Sequence, residues 1–541
     1  MKRTGKRYRP GRAAESYDVI VIGSGIGGLA CAALLSQLGK KVCVLEQHYT
    51  AGGFTHSYER EGYEWDVGVH YVGEVHKEHA ALRRIFDVIS NGQLKWAEMD
   101  RVYDRIIIGE QHYDFVAGRA NFAEELKRHF PDEGAAIDAY IETVMRVARS
   151  MKSYFAGQAM PPLMARMYEK IRPLRVPREC FQTTREVLES LTSNQQLIAV
   201  LTGQWGDYGL PPRDAAFLMH ASVAKHYFDG GCYPVGGSWK MADTIIPVIR
   251  AGGGEVFTYA RVKQIKVDNN RAVGVEMEDG STIRAATVVS NAGARNTCEK
   301  LLPSATTARH GYTAKLKEVR PSAGHLCLYA GFKGTAAELN IPRTNLWVYP
   351  DADHEGNLQR FLDDPFSTLP MVYISFPSAK DPEWEHNYPG KSTVEVITLG
   401  RYDWFAQWSG QTWNQRGAEY EALKAKFTER LLEALFKQMP QLKDRLDYCE
   451  LSTPLSTEWF QLNDRGEIYG LDHDLQRFEQ KWLHPVTPVK GLFMTGQDVV
   501  TAGVGGALLG GVMTAAAMQG RHADRVFKLL KQWKAPEPQP A

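Results

Sequence analysis

Residues 18–39 read DVIVIGSGIGGLACAALLSQLG, and after Asp18 no charged side chain appears for 21 residues. A stretch this long and apolar can cross a bilayer, and six Lys/Arg in the first twelve residues give it the look of an anchor behind a basic leader. The internal pattern argues otherwise. Four glycines (Gly23, Gly25, Gly27 and Gly28) fall within six positions, a concentration that a spanning helix does not need. Before them stands a short β-branched run of the kind found in buried strands. After them comes a small-residue helix ending at Gly39, and then the run KKVCVLE, a second buried strand closing on Glu46. Strand, G-x-G-x-x-G, helix, strand and acid is the order of a dinucleotide-binding βαβ unit, with the acid 18 residues beyond Gly28. In that unit Gly23 permits the tight turn, Gly25 the close approach of backbone N–H groups to a pyrophosphate, and Gly28 the packing of helix on strand. The helix N-terminus adds partial positive charge.

Glu46 favours a ribose with a free 2′-hydroxyl, hence FAD or NAD. The glycine pair Gly52-Gly53 and the aromatic turn WDVGVHY follow it, which suits a long cofactor continuing past the first unit. The same chemistry recurs near the other end in GLFMTGQDVVTAGVGGALLGGVMTAA, residues 491–516: a short strand, a polar turn, and a helix expected from about Gly505. Between them, residues 252–293 predict a glycine turn and strands over 262–267, 272–277 and 282–285, separated by Asn-Asn and Asp-Gly turns. Val262 is the expected place where backbone meets the adenine.

The 541 residues are 44% hydrophobic and 23% charged, with a net charge of +1. The chain is therefore large enough for two or three cores, and its global charge does not draw it to nucleic acid. Seven scattered cysteines with no C-x-x-C pair predict reduced thiols. No metal-ligand spacing occurs.

The order of G-x-G-x-x-G, Glu46, Gly52-Gly53, GGCYPVGGS, the three-strand meander and TGQD resembles the FAD-dependent amine oxidase and phytoene desaturase superfamily. EWDVGVHYVG, GDYGLPP, HYFDGGCYPVGGS and TGQDVVTAGVGGALLGG are most similar to its retinol saturase and carotenoid isomerase branch. The resemblance runs from Tyr17 to about Gly520. It implies an α/β fold: a Rossmann-like, doubly wound, glutathione-reductase-like FAD-binding domain with an inserted α+β substrate domain. It also implies an FAD enzyme that reduces a carbon–carbon double bond of a hydrophobic polyene or isoprenoid, with NAD(P)H as a candidate electron donor. The alternatives are a carotenoid desaturase or cis–trans isomerase, an unsaturated fatty-acid isomerase and, from another class, a non-enzymatic nucleotide-binding scaffold. Matched to the family's motif, Gly23, Gly25, Gly28, Glu46, Gly53, Val262, Gly496 and Asp498 are the cofactor-binding candidates, and Gly27, Gln47, Gly52 and Gly503 complete the set.

His70 and Tyr71, after the WDVG turn, are the catalytic candidates, because imidazole suits proton transfer near neutrality; a packing or hydrogen-bonding pair is the plainer reading. Asp207-Tyr208 and His226-Tyr227 are further candidates, for which a structural role is the stronger expectation. Residues 151–180 interleave six Lys/Arg with apolar side chains and read equally as a membrane-surface element or a lid. The expected organisation is a basic, solvated arm over 1–16; a discontinuous FAD-binding domain over 17–75, 230–300 and 486–525; a substrate domain over 76–229 and 301–485; and a helix end with a disordered tail over 526–541. With the basic arm leading straight into the first strand, a cytoplasmic protein, peripheral on membranes and not secreted, is expected.

Overall fold

The computed structural model describes residues 3–160 and 162–535. The expected βαβ unit forms: strand Ser16–Ile22, helix Ile26–Gln37 and strand Val42–Leu45. All but one residue of that helix is buried, which explains its lack of charge without a membrane. One face meets the sheet, and another meets helix Gly503–Met518 and helix Lys240–Ala251. The approach to Gly503–Met518 depends on glycine. A Cβ on Gly511 would lie 2.4 Å from the Gly27 carbonyl oxygen, and one on Gly27 would lie 2.7 Å from that of Ala507. The small-residue spacing of the C-terminal segment thus serves helix packing inside the protein, and its helix starts at Gly503, two residues before the expected position. No helix among the described residues is long and apolar enough to cross a membrane.

These elements build an eight-stranded sheet. Its parallel part runs Lys6–Arg7, Glu255–Thr258, Val42–Leu45, Ser16–Ile22, Thr282–Ser290 and Leu492–Met494. The meander strands Arg271–Met277 and Val262–Asp268 continue it antiparallel. Thr282–Ser290 is one continuous strand rather than two short ones. Its first residues close the meander, and its last, through Val288–Ser290, lie between Ile20–Ile22 and Leu492–Met494.

The N-terminal arm departs from expectation. Lys6 and Arg7 pair with Phe257 and Thr258 at the sheet edge, and the buried Thr4 hydroxyl donates to the Ala51 carbonyl at 3.0 Å. An arm that supplies an edge strand and a buried hydrogen bond is not a solvated tail; its charge reflects an exposed sheet edge, where Lys and Arg deter further pairing. At the other end, residues 536–541 of the expected tail lie outside the described residues.

A second sheet of seven strands orders Leu446–Ser452, Gly324–Lys333, Lys391–Gly400, Val372–Ser375, Asn345–Tyr349, Val102–Ile108 and Gln111–Val116. Period-two alternation divides it cleanly. Val394, Val396, Val372, Ile374 and Leu346 join the core under helix Ala418–Gln438. The alternate residues Trp347, Tyr373 and Ile397 are register partners across three strands, and all three line a cavity between the two sheets. All seven cysteines are unpaired, six of them buried.

Candidate functional site

The cavity measures about 800 Å³. Its walls include every cofactor-binding candidate except Gly28, and both catalytic candidates. Gly28 lies behind the wall, where a Cβ would come 2.3 Å from the Gly23 carbonyl oxygen. Its job is to let helix and strand touch.

At one end the loop after Ser16–Ile22 turns into helix Ile26–Gln37 at Gly25. Gly53, at φ +57°, crosses that turn so closely that a Cβ on it would lie 2.9 Å from Gly25 Cα. Any side chain at either glycine would fill this cradle, which leaves backbone N–H groups at a helix N-terminus, the arrangement that takes a pyrophosphate. Ser24, unrecognised in the sequence, organises it. Its hydroxyl donates to Glu46 Oε2 at 2.7 Å and accepts from Gly52 N–H at 3.0 Å. The Glu46 carboxylate also accepts from Ser24 N–H at 2.9 Å and His48 N–H at 2.8 Å. These three donors hold it still, and with about four lone-pair sites it keeps acceptor capacity for a ribose hydroxyl.

Opposite, Asp498 lies in the turn before helix Gly503–Met518. Its carboxylate accepts from Ala294 N–H at 2.7 Å and Leu471 N–H at 3.1 Å, so it ties three distant segments together beside the cavity. Asn291, also missed, sits at the end of Thr282–Ser290 with its amide oxygen 3.0 Å from where a Gly27 Cβ would be. A polar residue directly after a buried strand, in VVSNAG, was the available signal. GGCYPVGGS does not reach the cavity. Tyr233 and Ser238 donate instead to the buried Asp66, which burial pushes up to about 7, and they brace the wall segment that carries His70 and Tyr71.

At the far end the walls are aromatic: Trp347 and Tyr373 approach to 4.3 Å between ring centroids, and Tyr71 stacks on Tyr227 at 4.0 Å. Polar groups are few and networked. His70 Nδ1 lies 2.8 Å from Glu395 Oε2. Burial keeps the imidazole neutral, lowered to about 3, and pushes the Glu395 carboxyl up to about 8, so a single proton lies between them. Lys380, lowered to about 8 by burial, donates to the His70 carbonyl at 3.0 Å, to Ser375 Oγ at 2.8 Å and to Asn345. The Tyr71 hydroxyl donates to Asp104 at 2.8 Å. Sequence reasoning missed Asp104, Lys380 and Glu395. For Asp104 and Glu395 the signal was a charged residue at an inward position of an alternating strand, in VYDRIII and STVEVITL; Lys380, in the short helix Pro377–Lys380, had none. Trp347 Nε1 and His325 Nδ1, in two side chains that line the cavity, are buried with no partner among the described residues.

Flavin containing amine oxidoreductases match this chain over residues 26–519. All-trans-retinol 13,14-reductase of Danio rerio is 35% identical over 96% of this chain and 89% of its own length. The chloroplastic prolycopene isomerase of Arabidopsis thaliana is 25% identical over 92% of this chain and 82% of its own. Among solved structures, putrescine oxidase with bound putrescine superposes with a TM-score of 0.61 at 16% identity, covering 93% of this chain and 99% of that one; it shares the fold. FAD is the cofactor this family implies, and the glycine cradle, the spare acceptor capacity of Glu46 and a cavity that joins both ends fit it. The chain belongs to the family of flavin-containing amine oxidoreductases and is a flavin-dependent oxidoreductase.

Proposed function

We propose that this enzyme reduces a carbon–carbon double bond of a hydrophobic polyene or isoprenoid, as the name of its Danio rerio relative describes for retinol. The observation that carries the reading is the continuity of one cavity from the Gly25–Gly53 cradle to the row formed by Trp347, Tyr373 and Ile397. A flat, apolar, extended substrate matches that row, where it would gain about 25 cal/mol for each Å² removed from water. Gly23, Gly25, Gly27, Glu46, Gln47, Gly52, Gly53, Val262, Gly496, Asp498 and Gly503 are the residues we assign to holding FAD, with Gly28 behind them. When bound, FAD supplies two-electron hydride exchange at its N5 position. The protein's part is to hold the double bond against that position, exclude water and handle one proton. His70 and Tyr71 face the reacting end in this reading. His70 stays neutral and orients; Tyr71 links the site to buried carboxyls.

The regions at 17–75, 230–300 and 486–525 form the cofactor half in this account, joined by the strand Lys6–Arg7, and 76–229 with 301–485 form the substrate half. Entry is from a membrane surface. Helix Pro162–Ile171 and the turn after it expose Leu163 (73%), Met164 (56%), Met167 (65%), Ile171 (41%) and Leu174 (86%) along one stripe. Arg166, Lys170, Arg175 and Arg178 are exposed around it. Met151, Lys152 and Phe155, just before this helix, line the cavity. An apolar stripe ringed by cations suits an anionic bilayer surface, and a lipid-soluble substrate needs such a door. Cytoplasmic and peripheral on membranes is the location we propose.

Isomerisation, as in the prolycopene isomerase relative's name, uses the same row without net electron transfer. Anaerobic addition of NADH or NADPH to the FAD-loaded protein separates the two. Loss of the flavin's visible bands supports reduction with a nicotinamide donor. Unchanged bands, together with geometric isomers of an added carotenoid, support isomerisation.

A further inference from the structure

Two carboxyl groups, one fully buried and one at the cavity wall, meet at one phenol. Asp104 is fully buried and accepts three hydrogen bonds, from Tyr71 Oη at 2.8 Å, Gln204 Nε2 at 2.7 Å and Asn345 Nδ2 at 2.9 Å. Asp207, in the turn Trp205–Asp207, lines the cavity. Its carboxyl meets the same Tyr71 oxygen at 3.4 Å. A phenol owns one proton, and the shorter contact commits it to Asp104. The proton that can bridge Tyr71 and Asp207 is therefore Asp207's own. Its surroundings agree: Tyr71 stacks on Tyr227, and Trp347, Tyr373 and Met371 are neighbours in the same wall. Burial and the charge of Asp104 both push the Asp207 carboxyl well above the usual carboxylate range.

We propose that Asp207 is the general acid of the site, held protonated by the Tyr71–Asp104 pair and presented to the carbon–carbon double bond. This rests on the reading that the cavity takes a polyene. The proton moves from the Asp207 carboxyl to one alkene carbon as the π bond breaks. Reduced FAD, when bound, would supply the hydride for the other carbon and give up two electrons in doing so. Two C–H bonds form, and Asp207 is left as a carboxylate. Tyr71 then stands between two carboxylates and can donate to one only, so Asp207 regains a proton from solvent when the product leaves. Tyr71 and Asp104 are positioning residues.

The test uses FAD-loaded protein with all-trans-retinol as the probe and dithionite as reductant, alongside infrared spectroscopy of the same protein without substrate. In wild-type protein at neutral pH a neutral-carboxyl C=O band is expected that is lost in Asp207→Asn. That variant keeps its flavin content, while kcat falls by about a hundredfold or more with KM little changed. In Tyr71→Phe the band moves to higher frequency, because the carboxyl loses its acceptor. A band that survives unchanged in both variants, or turnover undiminished in Asp207→Asn, overturns the proposal. If Asp207→Asn does not fold, the band in Tyr71→Phe decides. If wild-type protein hydrogenates no polyene while the Asp207 band is present, the substrate reading fails and the protonated carboxyl stands.

Discussion

Gly27 and Gly496 touch across almost the whole length of the chain: a Cβ placed on Gly27 would lie 2.8 Å from Gly496 Cα. The first helix meets here the turn that follows strand Leu492–Met494, and both glycines line the cofactor end of the cavity. Gly27→Ala forces the two backbones apart, because the obstacle is main chain and no side chain can swing away. The expected cost is about 1–3 kcal/mol, read as a lower denaturant midpoint together with reduced flavin content in the purified protein. Unchanged values of both would show that the helix and the turn are not in contact here.

Glu46 is fixed by Ser24 and His48 and offers its remaining capacity to the cavity. Replacing it with Gln puts an N–H₂ against donors that need an acceptor. FAD affinity should fall by about ten- to a hundredfold, the worth of a charge-assisted hydrogen bond. Flavin fluorescence titration measures it, with a thermal melt of the FAD-free protein to separate binding from folding. An affinity equal to wild type removes Glu46 from the site.

The cofactor end was legible because its chemistry is local: a strand, a glycine turn and an acid within thirty residues declare a phosphate cradle. Ser24 escaped notice because any small residue fits that motif position, and its role appears only once Gly52 comes alongside. The far end was not legible. Asp104, Asn345, Lys380 and Glu395 come from separate strands and a short helix of one sheet, so spacing along the chain says nothing of their meeting. His70 could be named from its turn, but its neutral state depends on burial against the second sheet. The basic arm misled for a related reason, since its partner strand, Glu255–Thr258, lies some 250 residues away.

His220 gives a pH prediction. Its imidazole lies between Tyr140 Oη at 2.9 Å and Tyr208 Oη at 3.2 Å, and burial lowers its pKa to about 3. The unfolded chain binds this proton from about pH 6.5 downward and the folded chain does not. The stabilisation is thus complete above pH 6.5 and drains away as pH falls toward 3, by about 1.4 kcal/mol per unit. Asp66 and Glu395, raised to about 7 and 8, act in the opposite sense, so the comparison must be differential. The stability advantage of wild type over His220→Gln should shrink by about 2 kcal/mol between pH 7 and pH 5 in denaturant titrations. An advantage independent of pH would mean that the ring is charged or exposed.

The exposed stripe of helix Pro162–Ile171 predicts binding to vesicles containing anionic lipid, weakened by salt. The double change Leu163→Asp with Met167→Asp replaces two large exposed apolar side chains and should reduce partitioning by about tenfold or more, with activity toward detergent-solubilised substrate retained. Vesicle binding that ignores this change would place the membrane contact elsewhere.

The substrate proposed for this flavoenzyme is a polyene lying with its double bonds along Trp347, Tyr373 and Ile397. FAD-loaded protein is incubated anaerobically with dithionite and all-trans-retinol or a carotenoid, and the extracts are compared by mass spectrometry with a control lacking protein. A product heavier by two hydrogens is expected. Recovery of every probe with its mass unchanged, from protein whose flavin is fully reduced, would contradict it.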